Sequence, residues 1–488
     1  MADYTLLTGA TGLLGSYLLR NLLLAGRRLV VVARPSKRQS ATERVESVLQ
    51  MWEALLQQEL PRPVCLEGDL SQAHLGLDEK SRQWLAEHCS SVIHSAAALT
   101  FMEESSGEPW RTNVDGTRHV LELCEDTGVR QLHYISTAYV CGERTGRIYE
   151  DELDLGQSFR NDYERSKLQA ELLVRDTDYF ESLTVYRPAV IAGDSQTGYT
   201  NTYHGLFMYL QLMCVLARNT EPGPDGVRHT DMELHISGGE PRNVIPVDWA
   251  AEVICSLFCT PGAHGRTFHL APTTRMTARH MIEAGYTYFN SKGVKFVGPA
   301  STAQPAGSIG QNALENSQMY RNYEAGDPDF DTRNLKQFAG HLVCPEIDEA
   351  MLHRFMQYGE EDRWGKRRRA PAKVPFCVGD FLKQLEAGQR QAVPAHRSRP
   401  EWTLALDVFG SGGGQWTLTL SEGRLVALEP GLLADCSNQL KISSAHFAEL
   451  ASSVGLTEPA TISEERVESV AELRALLGLD LAVDANRC

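Results

Sequence analysis

Eight residues near the start of the chain, Thr8-Gly9-Ala10-Thr11-Gly12-Leu13-Leu14-Gly15, restrict the fold more than any other stretch. They follow a short apolar strand, Tyr4 to Leu7, and open a helical pattern carrying Leu18, Leu19, Leu22 and Leu23. Strand, glycine-rich turn and helix together form the device that holds a dinucleotide pyrophosphate. One glycine permits the tight turn, the second lets backbone approach the phosphates, and the third lets the helix pack close. The helix N-terminus adds free N–H groups and the positive end of its dipole. Gly9, Thr11, Gly12, Leu13, Leu14 and Gly15 are the cofactor contacts expected of this turn.

A chain of 488 residues exceeds one ordinary core, so two or three domains are expected. The first third alternates strand and helix. Strands are expected at Leu29 to Ala33, Pro63 to Leu66, Ser91 to His94, Gln131 to Ser136 and Leu183 to Tyr186. Helices fall at 41–58, 78–88, 108–127 (read as one long helix) and 161–176. This rhythm of βαβ units gives an α/β fold, a doubly wound parallel Rossmann sheet over about 1–190. Past 190 the rhythm loosens into a substrate-binding and lid extension reaching about 345, with an apolar helix at 203–218 and a surface loop at 299–312. Residues 346–400 read as a helical linker region, with linker stretches at 359–375 and 387–400. Strands at Trp402 to Phe409, Trp416 to Leu420, Leu425 to Leu428 and Gln439 to Ile442, with helices near 444–453 and 466–477, make 401–488 a small C-terminal α+β domain.

The net charge of −16 argues against nucleic acid or an anionic membrane as the main partner. The basic run Lys366 to Arg369 reads as a solvated linker patch. Eleven cysteines without CxxC pairs suggest neither zinc nor a disulfide framework, and fit reduced thiols in a cytoplasmic protein. No metal is expected. No signal peptide is expected, because Asp3 and the glycine turn interrupt any apolar run. The longest apolar stretch, Leu206 to Ala217, is about a dozen residues and too short to span a membrane.

Chemistry gathers at the ends of the expected strands, where open α/β sheets bind ligands. Ser95, Ala96 and Ala97 follow the fourth strand with small side chains, and Thr137 follows the fifth. Tyr163 and Lys167 stand four apart on one helix and face the same way. A phenol is a poor acid at neutral pH, with a pKa near ~10, and a lysine ammonium close by brings it towards the working range. Tyr163 is then placed to protonate a carbonyl oxygen as hydride reaches its carbon, with Thr137 donating to the same oxygen. Asn113 is placed to hold a water in a proton relay. After the second strand, where NAD enzymes of this fold carry an acid, stand Arg34, Ser36, Lys37 and Arg38. A guanidinium suits a 2′-phosphate and an acid repels it, so the cofactor expected is NADPH.

In order, these motifs resemble the extended short-chain dehydrogenase/reductases over about 1–345. The resemblance rests on Thr8 to Gly15, Gly68-Asp69-Leu70, His94 to Ala97, Asn113 to Thr117 and Ser136 to Gly142. Asn161 to Lys167, Tyr186-Arg187-Pro188-Ala189 and Val244 to Asp248 complete it. It implies Thr137, Tyr163 and Lys167 as catalytic triad and Asp69 and Leu70 against adenine. Backbone after Pro188, through Val190, would meet the nicotinamide. Ser136 is set aside, because Thr137 has the matching distance from Gly142. Ile135-Ser136-Thr137, Asn161-x-Tyr163-x-x-Ser166-Lys167 and Gly193-Asp194-Ser195-x-Thr197-Gly198 are most similar to the thioester reductase and fatty acyl-CoA reductase branch.

The hairpin Gly414 to Val426 and the segment Asn438 to Ser443 resemble sterol carrier protein-2-like domains, which enclose a lipid-sized tunnel; a dimerisation or lid module is the alternative. The expected function is NADPH-dependent reduction of a carbonyl or acyl thioester on a lipid- or polyketide-like substrate, free or borne by a carrier or coenzyme A. Two further readings stay open. One is an NAD(P)-dependent epimerase, isomerase or 3β-hydroxysteroid-type dehydrogenase. The other is a non-catalytic lipid carrier or NADPH-sensing scaffold. A homodimer is the assembly expected.

Overall fold

The structure, a computed structural model, describes residues 4–234, 236–298, 326–367, 373–389, 402–421, 424–433, 436 and 438–452. Seven strands form its central sheet: β1 Tyr4–Thr8, β2 Arg28–Ala33, β3 Val64–Glu67, β4 Cys89–His94, β5 Gln131–Ile135, β6 Ser182–Pro188 and β7 Thr267–Leu270. Their order is β7-β6-β5-β4-β1-β2-β3 and every pairing is parallel. The chain reverses its winding between β1 and β4, so the crevice for a ligand opens beyond the ends of those strands.

Both faces are covered. Helices α1 (Leu13–Leu24), α2 (Ala41–Leu56) and α7 (Val247–Phe258) bury Leu18, Leu22, Trp52, Val253 and Ile254 on one side. On the other, α3 (Glu79–His88), α4 (Gly116–Thr127) and α5 (Asp162–Arg175) bury Trp84, Val120, Leu121 and Val174. A capping box starts α2: Glu43 donates its backbone N–H to Ser40 Oγ at 3.2 Å, and Ser40 donates its own to Glu43 Oε2 at 2.8 Å. The Asn161 side chain caps α5 by accepting the Glu164 N–H at 2.9 Å, which fixes where Tyr163 enters the helix.

Two expectations need correction. The helix expected over 108–127 is α-helical only from Gly116; Arg111–Asp115 form a wider π turn that swings Asn113 inward. Among the short strands expected before 298, Arg228–Leu234 pairs in parallel with Ser291–Phe296. The helical linker 346–400 is divided between two cores. Helix Glu349–Glu361 buries Met351, Leu352, Phe355 and Met356 against α6 (Leu206–Arg218) and α8 (Ala278–Phe289), so it completes the lobe beside the sheet. Helix Val378–Gln389 buries Val378 and Leu382 in the C-terminal unit. The turn between them carries three consecutive left-handed residues, Arg363, Trp364 and Gly365. It folds the Trp364 ring against Gly359 and Tyr203, leaving Lys366 and Arg367 exposed.

In the C-terminal unit, strands Trp402–Phe409, Gly414–Ser421 and Arg424–Pro430 form an antiparallel meander. Strand Gln439–Ser443 returns parallel to the first, and Ser444–Ser452 is helical. Leu404, Leu406, Leu418, Leu420, Ile442 and Phe447 form its core. The expected loop 299–312 and the helix at 466–477 both lie outside the described residues.

Candidate functional site

The glycine turn hangs from the end of β1. Gly9 has φ +76°, and a Cβ there would sit 2.7 Å from the Ala96 nitrogen. Gly15 is as constrained: its Cβ would lie 2.0 Å from the Gly9 carbonyl oxygen. Turn and β4 end therefore touch backbone to backbone, with Gly12 preceding α1 and Thr11, Leu13 and Leu14 half-buried around it. Ser95 and Ala96 are half-buried and Ala97 exposed. Thr8 Oγ1 accepts the Ser95 and Ala96 N–H groups at 3.2 and 3.3 Å.

At the adjoining corner, Asp69 accepts the Ser71 N–H and O–H at 3.0 and 2.9 Å; burial would raise this carboxyl, but those hydrogen bonds hold it below its usual range. Leu70 packs where a Cβ on Gly116 would stand, 3.2 Å away. Arg34 reaches within 4.0 Å of Asp69 and is otherwise exposed. The Ser36 hydroxyl accepts the Arg38 and Gln39 N–H groups and so shapes the turn bearing Lys37. Sequence reasoning missed Arg44. It donates to Thr11 Oγ1 at 3.0 Å and to the Arg34 carbonyl, spanning the glycine turn and the basic loop. Burial, and then the Arg34 charge, lower its pKa. The Arg34 and Arg44 side chains thus share the corner beside the glycine turn, close enough for one charge to act on the other.

Across the crevice, Thr137 caps the turn Ala138–Cys141, accepting the Tyr139 N–H at 3.3 Å and donating to the Pro188 carbonyl at 3.4 Å. Its side chain also hydrogen-bonds the Tyr163 phenol. Ser136 points away and donates to Glu171 at 2.6 Å. Burial raises Glu171, yet the charge and hydrogen bonds of buried Arg187, with Arg175 and Ser136, outweigh it and bring it down to about 2. Val190 pairs with Val244 beside Pro188, on the border of the apolar lobe.

The expected role of Lys167 changes. Burial pushes the Tyr163 phenol up to about 12, opposed by the Thr137 hydrogen bond, so the expected lysine-driven drop is not what this arrangement produces. Lys167 instead donates to Tyr134 Oη at 2.9 Å and the Ile135 carbonyl at 2.8 Å, and burial draws its own pKa down to about 7. Asn113 is a strut. Its Oδ1 accepts the Ala98 N–H at 2.8 Å, and its amide donates to the Ala98 carbonyl at 3.1 Å and Ser166 Oγ at 2.9 Å. Both N–H bonds are thereby spent, and acceptor capacity remains on its oxygens. The Gly193 to Gly198 motif is likewise a joint: Asp194 accepts Tyr17 Oη at 2.9 Å and Ser195 donates to Asp248 at 2.6 Å. Among the described residues no group of His, Cys, Asp or Glu is arranged to hold a metal, and no helix is long and apolar enough to cross a membrane.

The chain is 32% identical over 214 residues to an NRPS-like oxidoreductase of Fusarium equiseti, covering 42% of this chain and 20% of that protein. To a putative fatty acyl-CoA reductase of Drosophila melanogaster it is 39% identical over 145 residues, 28% of each chain. It thus spans under a third of either relative. Among solved structures, the terminal R domain from the myxalamid PKS-NRPS biosynthetic pathway is 25% identical, with a TM-score of 0.59 over 76% of this chain and 93% of that one. The family described as male sterility protein, an NAD-binding family, matches residues 7–254, just over half of the chain. With the sheet, the turn and the Thr137-Tyr163-Lys167 arrangement behind that match, the chain belongs to the male sterility protein family of NAD-binding, extended short-chain dehydrogenase/reductases.

Proposed function

We propose that the protein is an NADPH-dependent reductase of acyl thioesters or carbonyls on hydrophobic, lipid- or polyketide-like substrates. The observation that carries this is Thr137 beside the Tyr163 phenol just past the end of β5, in the same parallel sheet whose β1 end carries the glycine turn. When bound, a nicotinamide dinucleotide supplies hydride. Gly9, Gly12 and Gly15 would take its pyrophosphate and Asp69 and Leu70 its adenosine, with Pro188 to Val190 at the nicotinamide end. The Arg34 and Arg44 pair supports a 2′-phosphate, hence NADPH over NADH. A phenol raised to about 12 holds its proton at neutral pH, as a donor to a developing alkoxide must. Thr137 orients that phenol and shares the oxygen.

The apolar lobe of α6, α8 and Glu349–Glu361 adjoins Val190 and favours an acyl chain. Relatives named as an NRPS-like oxidoreductase and a putative fatty acyl-CoA reductase support a thioester carbonyl. We read 402–452 as a sterol-carrier-like unit on the strength of its meander, its parallel return strand and its apolar core. The test is NADPH oxidation with octanoyl-CoA and with octanal. Tyr163→Phe is expected to lower turnover at least ~100-fold. Normal turnover in that variant would falsify the mechanism. Two NADPH per thioester marks reduction to the alcohol, and isomerisation without net oxidation would instead indicate an epimerase.

A further inference from the structure

A lysine ammonium has three N–H donors, and Lys167 commits two of them, to Tyr134 Oη and the Ile135 carbonyl. The contact with Tyr134 is the end of a longer buried chain. Tyr134 lies beside the Thr117 side chain, which lowers its pKa against the rise imposed first by burial. Thr117 Oγ1 lies 3.1 Å from His94 Nε2 and donates to the Asn113 carbonyl at 2.6 Å. His94 Nδ1 lies 2.7 Å from Thr8 Oγ1, the atom that accepts the Ser95 and Ala96 N–H groups beside the glycine turn. Thr8, His94, Thr117, Tyr134 and Lys167 are each at most 2% exposed.

Donor counting permits one consistent assignment. Thr117 spends its proton on the Asn113 carbonyl, so it accepts from His94 Nε2–H. Thr8 spends its proton on His94 Nδ1. His94 is therefore a neutral Nε2–H imidazole, in keeping with burial and the neighbouring Lys167 charge, which lower its pKa to about 3. A lysine ammonium has only donors, so Tyr134 Oη meets Lys167 as an acceptor.

We propose that Tyr134 is a positioning residue: its hydroxyl, backed by Thr117, His94 and Thr8, fixes the Lys167 ammonium on the Tyr163 face of α5 and keeps it protonated. This rests on Tyr163 being the proton donor of the proposed reductase. The groups facing Lys167 are Tyr134 from β5, His94 from β4 and Tyr163 and Glu171 from its own helix. Glu171 is already paired with Arg187 and Arg175, and His94 is neutral, so the Tyr134 oxygen is the adjustable partner.

Tyr134→Phe removes that oxygen alone. Losing an acceptor to a charged donor favours the neutral amine, so the Lys167 midpoint falls by about one pH unit. Acetic anhydride labelling of Lys167 against pH, read by peptide mass spectrometry, measures that midpoint without turnover. The alkaline limb of kcat/KM for NADPH-dependent octanal reduction should fall equally, with KM changed less than about twofold. Thr117→Val should shift both in the same direction by less. An unmoved labelling midpoint in folded Tyr134→Phe, or a fall in rate equal at every pH, overturns the proposal. Should Tyr134→Phe not fold, an unmoved midpoint in Thr117→Val overturns it instead. Labelling that shifts as stated in a protein that never oxidises NADPH supports the positioning role and sinks the reductase reading.

Discussion

The Arg34 and Arg44 corner offers the sharpest test of cofactor choice, because its two charges reach the site by different routes. Arg34 projects from the end of β2 with Asp69 as a 4.0 Å neighbour, and Asp69 is already committed to Ser71. Arg44 comes from α2 and is pinned to Thr11 and to the Arg34 carbonyl. A phosphate dianion about 4 Å from each guanidinium, in half-exposed surroundings, gains roughly 2 kcal/mol per arginine after screening by salt. At ~1.4 kcal/mol per decade, Arg34→Ala or Arg44→Ala should each weaken NADPH about 10- to 30-fold. NADH, lacking the 2′-phosphate, should change less than about threefold. The assay is a fluorescence titration of both dinucleotides with wild type and variants at 50 and 300 mM salt, with NADPH losing more affinity than NADH as salt rises. Equal weakening of the two dinucleotides would mean the arginines shape the loop and do not read the phosphate. An NADPH affinity unchanged by Arg34→Ala would remove that residue from the site.

Two further outcomes follow from the packing. Glu171→Gln leaves Arg187 buried without its carboxylate and should cost about 3–5 kcal/mol in denaturant unfolding. The folded pKa of about 2 lies below the ordinary 4.5, so this contribution is complete above pH 4.5 and is lost as pH falls towards 2; the variant should lose less stability than wild type over that window. Tyr4→Phe strands the Gln415 side chain and the Leu432 N–H, which the phenol bridges at 2.8 and 2.9 Å. That should cost about 1–3 kcal/mol of docking and speed proteolytic release of the C-terminal unit, with NADPH turnover kept within about twofold; an unchanged cleavage rate would show that this contact does not hold the unit.

What could be read from the sequence was what local covalent and steric rules decide. A turn needing glycine at Gly9 and Gly15 admits few other residues, and its flanking apolar runs fix strand and helix. The spacing of Tyr163 and Lys167 puts them on one face of α5 whatever the rest of the chain does. Thr137 was separable from Ser136 only by motif spacing, and the physical reason became visible with Glu171, which claims the serine hydroxyl. Tyr134 was invisible because a tyrosine in a buried strand reads as core, and its role depends on a hydroxyl meeting Lys167 from another element. Arg44 reads as an exposed helical charge until α2 is packed against β2 and the turn. The helix Glu349–Glu361 looked like linker because its flank is charged. The core that receives it is built by Leu206–Arg218 and Ala278–Phe289, far off in sequence.

The position of the C-terminal unit bears on what it can do for the reaction. Its described residues meet the sheet at the beginnings of the strands: Tyr4 opens β1, Leu60 precedes β3 and accepts the Gly410 N–H at 3.2 Å, and Trp84 on α3 donates to the Pro430 carbonyl at 2.6 Å. The glycine turn leaves the opposite end of β1, roughly 13 Å along the strand at ~3.3 Å per residue. A module anchored there, with Gly431 closed down on the Trp84 ring, meets the sheet at the end opposite the glycine turn. If the unit binds an acyl chain, it does so at the pole away from the hydride site. A chain held there must be released before its carbonyl can reach Tyr163, so lipid capture and reduction would be separable steps. A variant that loosens Tyr4 should then leave reduction of octanal intact while changing only what depends on the unit being attached.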